Sequence, residues 1–172
     1  YQLFSIPFKT NKGLNAVTEV LGPPDEFKYR LYSYHNGFEE FTETNSIDMS
    51  LGNSYFFIWD KDQYPDILQL NFDFGKGEST PTSPPFEIPA AVGEWKFFGN
   101  PYNFPVDLFD VRTQGDLPVV DGGSIYTWSN FGGWVSPGPS LEPWKGYIYK
   151  SATEPDIYVC LLYTSDAADE QQ

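Results

Sequence analysis

Apolar and polar positions along this chain alternate in short bursts, and only one stretch holds them at helical spacing. In Tyr29-Arg30-Leu31-Tyr32-Ser33-Tyr34 the alternation puts Tyr29, Leu31 and Ser33 on one face and Arg30, Tyr32 and Tyr34 on the other, because successive strand side chains point to opposite sides. Asn36-Gly37 and the run 38–42 follow. Asn-Gly tolerates the positive φ angles of a tight type I′ turn, so the two runs predict a hairpin. Residues 54–59 (Ser-Tyr-Phe-Phe-Ile-Trp) form a dense apolar run, read as a strand buried on both faces. In 67–74, Leu68, Leu70, Phe72 and Phe74 alternate with Gln69, Asn71 and Asp73, which predicts a half-buried strand. Strands are further predicted at 1–8, ended by Pro7, and at 86–88, 94–98 and 145–150. A second hairpin joins 123–129 to 134–135 across 130–133. The helical stretch is 14–21, with Ala16, Val17, Val20 and Leu21 in phase, Asn15 as a candidate cap and Gly22-Pro23 as a stop. A helical turn is expected within 106–111.

These elements fall into two sets. Tyr1-Gln2-Leu3-Phe4-Ser5-Ile6-Pro7-Phe8 reads against Trp95-Lys96-Phe97-Phe98-Gly99-Asn100-Pro101-Tyr102, 94 positions on. Leu31-Tyr32-Ser33-Tyr34-His35-Asn36 reads against Ile125-Tyr126-Thr127-Trp128-Ser129-Asn130 at the same offset of 94. A repeated supersecondary unit implies two copies that stack or share a core. We therefore divide the chain into a first β repeat (1–84) and a second (85–159), separated by the linker-like 75–85. Each repeat is marginal in size for a core of its own. The expectation is an all-β fold whose two related halves pack as one compact pseudo-symmetric sandwich or barrel, with one or two short helical turns.

Composition sharpens this picture. Aromatic residues make up 19% of the 172 residues, with 15 Phe, 12 Tyr and 5 Trp. Such a chain buries large ring areas and is not disordered. Fifteen Gly and fifteen Pro punctuate the short strands. The net charge of −14 argues against a nucleic-acid backbone or an anionic membrane surface as partner. No apolar run approaches the roughly 18 residues of a membrane-spanning helix.

The chain starts inside a strand-like run, so any signal peptide would precede it. Residues 160–170 (Cys-Leu-Leu-Tyr-Thr-Ser-Asp-Ala-Ala-Asp-Glu) resemble the translation of a transposon-end sequencing adapter. Residues 160–172 are accordingly expected to be an artefactual or disordered tail. Cys160, the only cysteine, lies in it, which leaves no disulfide framework and no Cys-based metal site. Without Asp166, Asp169 and Glu170 the net charge moves from −14 to −11, still clearly acidic.

Few constellations point to chemistry. His35 is the sole histidine, beside a turn, and builds neither a catalytic triad nor a multi-His site. Gly75-Lys76-Gly77 lacks the spacing of a phosphate loop. Glu39, Glu40, Asp107, Asp110, Asp116 and Asp121 could supply an acid–base pair, but among 24 acidic residues some pair always qualifies. Calcium at Asp116 and Asp121 lacks an EF-hand-like spacing. No catalytic residue, cofactor or metal is expected. The sharper candidates are rings at or near hairpin ends, Tyr32, Tyr34, Phe131 and Trp134, which could stack on sugars. The plainer expectation is that they pack against the facing repeat.

Two motifs carry a family resemblance. Gly99-Asn100-Pro101-Tyr102-Asn103-Phe104-Pro105-Val106 and Leu141-Glu142-Pro143-Trp144-Lys145-Gly146-Tyr147 resemble the "GNP[FY]-x-FPV" and "LEPWxGY" signatures of a module of secreted, multidomain bacterial proteins. That module is common in Bacteroidetes, often near a type IX secretion sorting domain. Leu51-Gly52-Asn53-Ser54-Tyr55-Phe56 is a looser first version, with Leu51 at the proline position. The resemblance implies a secreted or cell-surface location, other domains of the same longer chain as partners, and a non-catalytic structural or interaction role. The alternative is a carbohydrate-binding accessory module of a larger extracellular enzyme. The signature residues Gly99, Asn100, Pro101, Pro105, Pro143, Trp144, Gly146 and Tyr147 all suit structural work: prolines end strands, glycines permit close approach, and the rings fill the core. Trp144 in particular is expected to fold its ring into the core.

Overall fold

The computed structural model describes residues 1–60, 62, 64, 71–113, 118–119, 125–150 and 156–161. The first half contains β1 (Gln2–Ser5), β2 (Lys9–Thr10), the helix α1 (Leu14–Leu21), β3 (Tyr29–Tyr34), β4 (Phe38–Glu40), β5 (Ser54–Trp59) and β6 (Gly77–Glu78). The second contains β7 (Phe86–Ile88), β8 (Trp95–Gly99), β9 (Val106–Asp107), a 3-10 turn (Leu108–Asp110), β10 (Val111–Thr113), β11 (Ile125–Ser129), β12 (Gly133–Val135), β13 (Ser140–Leu141), β14 (Gly146–Lys150) and β15 (Ile157–Val159). The fold is all-β, as the alternation predicts.

Each half is built on a four-stranded antiparallel sheet. The orders are β1-β5-β3-β4 and β8-β14-β11-β12. The registers correspond. Leu3 faces Phe56, as Phe97, 94 positions later, faces Ile148. Leu31 faces Phe57, as Ile125 faces Tyr149. Tyr34 faces Phe38, as Trp128 faces Trp134.

The covers of the two sheets differ. In the first half, Leu31, Tyr55 and Phe57 share a buried cluster with Ala16, Val17 and Leu21 of α1. In the second, Phe98, Ile125, Tyr147 and Tyr149 share one with Ile88, Val111, Ile157 and Val159 of a three-stranded sheet, β10-β15-β7. A third cluster joins the inner faces: Leu3 of one sheet with Phe97 and Ile148 of the other, flanked by Tyr34, Phe56, Tyr126 and Trp128. The sheets thus face each other, each backed by its own outer layer.

The contact between the sheets is reciprocal. Ser5 N–H donates to Trp144 O at 3.1 Å, and Gly99 N–H donates to Gly52 O at 3.0 Å. Ser5 and Gly99 stand 94 positions apart; Gly52 and Trp144 stand 92 apart, the offset between β5 and β14. A Cβ on Gly99 would lie 2.1 Å from Ser5 Cβ, and one on Gly146 2.8 Å from Ser54 Cβ. At both crossings a glycine of the second half admits a serine of the first. Ser5 Oγ then donates to Lys145 O at 2.9 Å.

Several expectations are corrected. The first hairpin turns through three residues, 35–37, with Asn36 at φ 58° and His35 N–H bonded to Gly37 O at 3.0 Å. It is not a two-residue I′ turn, because Tyr34 already pairs with Phe38. Helix α1 starts at Gly13, and no side chain caps it. Asn15 instead lies inside the first turn, its N–H bonded to Lys12 O at 2.9 Å. At the other end Gly22, φ 83°, closes the helix on Thr18 O as expected. Residues 71–74 are not a strand; Phe74 is buried from an irregular segment, and 67–70 lie outside the described residues. The linker is tied down: β6 pairs with β2, and Thr80 Oγ1 donates to Pro101 O in the other half. At the tail, Cys160 N–H donates to Asp110 O at 2.8 Å and Leu161 packs on the second core. These two residues belong to the fold; 162–172 lie outside the described residues.

Candidate binding groove

The strand period decides which rings meet. On the first sheet it turns Leu3, Tyr32, Tyr34, Phe38 and Phe56 to the inner face; on the second it turns Trp95, Phe97, Tyr126, Trp128, Trp134 and Ile148 inward. Near the serine–glycine crossings the faces close and bury Leu3, Phe97 and Ile148. Away from them the faces diverge, leaving an open groove of about 590 Å³. Its walls are eight rings and Ile148: Tyr34, Phe38 and Phe56 from one sheet, Trp95, Phe97, Tyr126, Trp128 and Trp134 from the other.

The rings brace one another. Tyr34 stacks on Phe97 across the sheets at 4.6 Å, and Phe38 meets Phe97 edge-on at 5.6 Å. Trp128 is edge-on to Phe56 at 5.4 Å and to Trp134 at 5.2 Å. Such edge-to-face geometry sets ring edges against ring faces and favours fixed orientations. Phe38, Trp95 and Trp134 remain 59%, 39% and 40% exposed, which is unusual for rings of this size. The indole Nε1–H of Trp128 is buried without a hydrogen-bond partner.

Two cavities of mixed polar and apolar lining share rings with the groove. One, of about 380 Å³, shares Tyr34 and Trp95 with the groove and adds His35, Asn36, Glu94, Lys96 and Asp156. The other, of about 440 Å³, shares Trp128 and adds Gln2, Asn130, Glu142 and Lys145. Burial holds the Lys96 amine below its ordinary pKa. Cations already sit over rings beside the groove. Lys150 Nζ lies 5.5 Å from the Trp95 ring centre, and the Arg30 guanidinium lies 5.2 Å from that of Tyr32. Arg30 is also bidentate to Glu40, with both N···O distances 2.6 Å, and this bond holds the Glu40 carboxyl below its usual range.

Of the four candidate ring residues, Tyr34 and Trp134 line the groove. Tyr32 lies next to it, edge-on to Phe38 at 6.0 Å, its phenol pKa raised first by burial and then by Glu40. Phe131 stands fully exposed at the second hairpin tip, apart from the groove rings. Sequence reasoning passed over Trp95, Phe97, Tyr126 and Trp128. The repeat offset held the signal, since Tyr126 and Trp128 occupy the places of Tyr32 and Tyr34.

The signature residues hold the frame. Gly99 and Gly146 permit the sheet contact. Asn100, fully buried, donates to Phe104 O at 2.8 Å and Leu141 O at 2.7 Å and accepts from Tyr102 N at 2.9 Å. Pro101 is buried, Pro105 exposed and Pro143 half-buried. The Tyr147 hydroxyl accepts from Glu142 N at 2.6 Å, as the Tyr55 hydroxyl accepts from Ser50 N at 2.6 Å. Burial raises both phenol pKa values. Trp144 departs from expectation: it is 44% exposed and has φ 65°. Its backbone takes the left-handed turn that Gly52, φ 82°, takes in the first half, so the ring leaves its own sheet. It packs edge-on to Phe8 at 5.5 Å and against Phe74 at 5.8 Å.

Among the described residues no three His, Cys, Asp or Glu side chains gather as a metal site, and no helix is long and apolar enough to cross a membrane. Asp116 and Asp121 lie outside the described residues. Compared with known proteins, the chain matches no family model, no curated protein and no solved structure.

Proposed function

We propose that this chain is a non-catalytic interaction module of a secreted or cell-surface bacterial protein, made of two copies of one four-stranded unit, and that the aromatic groove is its docking site. One observation carries the reading: rings from corresponding positions of both sheets line an open groove beside the buried Leu3, Phe97 and Ile148 cluster. Matching strand orders and the reciprocal Ser5–Trp144 and Gly99–Gly52 bonds support the two-copy origin. Secretion, and sister domains of the same chain as partners, rest on the resemblance of the Gly99–Val106 and Leu141–Tyr147 motifs. The carbohydrate-binding accessory module is the second reading, favoured by the half-exposed indoles of Trp95 and Trp134.

The test separates docking rings from structural ones. Phe38→Ala and Trp134→Ala should each still unfold in one transition and lose no more than about 2 and about 4 kcal/mol, the transfer cost of the ring area that each buries. Both should weaken uptake of Nile red, a neutral dye whose fluorescence reports an apolar groove. Larger losses, or undiminished Nile red uptake, would make the rings structural and reject the docking site.

A further inference from the structure

We infer that the groove takes a neutral glycan chain of several sugar units, bound in extended form. The inference rests on the groove being a docking site, and three features select this occupant. The first is length. The ring-lined groove shares Tyr34 and Trp95 with one neighbouring cavity and Trp128 with another, so the three together offer a long trough. A small organic cation would occupy a fraction of that trough, whereas an extended oligosaccharide spans it.

The second feature is the order of surfaces. A pyranose offers a flat C–H face that packs on aromatic rings, and a rim of hydroxyls that seeks donors and acceptors. The middle of the trough is aromatic; the ends carry the amides of Asn36 and Asn130. An apolar peptide would leave such polar ends unmatched, at a cost in desolvation.

The third feature is charge. The neighbouring cavities carry both signs of charge, Glu94 and Asp156 with Lys96 in one and Glu142 with Lys145 in the other. Mixed charge with no excess of cations suits a neutral polyhydroxyl ligand better than an anionic one. The net charge of −14 disfavours uronate or sulfated chains.

Cellohexaose, xylohexaose, mannohexaose and chitohexaose should be titrated into the full chain by calorimetry and tryptophan fluorescence, beside hexagalacturonate, a proline decamer and tetramethylammonium. At least one neutral hexasaccharide should bind, with an affinity unchanged by added salt, and hexagalacturonate should bind at least about tenfold more weakly. Trp134→Ala and Trp95→Ala should each weaken that binding by about tenfold or more while still unfolding in a single transition. Phe27→Ala, an exposed ring outside the groove, should not. If no neutral hexasaccharide binds at about 10 mM while Nile red still enters, the glycan is wrong and the docking site stands. If neither binds, both fall. Binding that survives both indole truncations, preference for the peptide or the cation, or self-association through the groove would each overturn the glycan assignment.

Discussion

Exchanging the residues at one sheet crossing tests whether the halves meet as corresponding surfaces. In Gly99→Ser the new Cβ would stand 2.1 Å from Ser5 Cβ and 2.4 Å from Ser5 Oγ. No side chain tolerates such distances, so the sheets must part. Overpacking of this kind costs about 1–3 kcal/mol. The same movement strains the bonds Gly99 N–H to Gly52 O and Ser5 N–H to Trp144 O, which places the cost at the upper end. Ser5→Gly alone removes the Oγ bond to Lys145 O and loosens a strand end, for about 1–2 kcal/mol. Independent effects would make the double variant Ser5→Gly/Gly99→Ser lose about 3–5 kcal/mol, the total of the two.

The geometry predicts otherwise. Removing the Ser5 side chain clears both short contacts and leaves Asn53 O at 3.1 Å from the new Cβ. Asn53 lies 92 positions before Lys145, so the hydroxyl introduced by Gly99→Ser would find the acceptor that corresponds to the one Ser5 loses. The double variant should return to within about 1 kcal/mol of the parent, a coupling of at least about 2 kcal/mol. Urea unfolding of the four proteins, read by tryptophan fluorescence at a common m-value, measures it. Additive losses would refute the correspondence. The parallel exchange Ser54→Gly/Gly146→Ser should recover less, since a Cβ at 146 also meets Leu3 Cγ at 2.5 Å.

Asn100→Ala removes three hydrogen bonds from a fully buried site and should cost about 3 kcal/mol in the urea midpoint. Trp144→Gly should be more stable than Trp144→Ala by up to about 1 kcal/mol, because φ is 65° there; equal midpoints would show that the left-handed backbone carries no cost at this turn. The Arg30 bond lowers the Glu40 pKa from its ordinary 4.5, so its contribution is present above that value and lost as pH falls through the lowered one. Glu40→Gln should therefore cost up to about 1 kcal/mol at pH 7 and close to nothing in strong acid, solvent screening holding the figure down.

Local chemistry made much of the fold legible. Helix α1 ends on Leu21 because Ala16, Val17 and Leu21 share a buried stripe and Gly22 adopts the φ that stops it. The strands at 29–34 and 54–59 follow from alternation and apolar density. What escaped depended on distant partners. The pair Ser140–Leu141 with Val106–Asp107 is too short for a periodic signal and exists because each strand finds the other. The strand Ile157–Val159 forms between β10 and β7, where the partners of Val159 are Val111 and Phe86, 48 and 73 positions before it. Phe72 and Phe74 alternate like strand residues, yet Phe74 reaches the first core from an irregular segment, since burial of a ring needs no ladder.

The groove was half legible for a related reason. Alternation fixes the face on which Tyr34, Trp128 and Trp134 lie, but not whether the two inner faces close. Closure is decided at the crossings, where two glycines let the sheets touch. Sheets joined at such a point diverge away from it, because each strand carries its own twist. The residues beyond the crossing then choose between filling the wedge and lining it. Here they are rings braced edge-to-face, which hold their places without filling the space between them. An aliphatic set of similar size would collapse to native packing density. The aromatic composition that first marks this chain as globular therefore also shapes its inner face, where rings braced against one another border the groove.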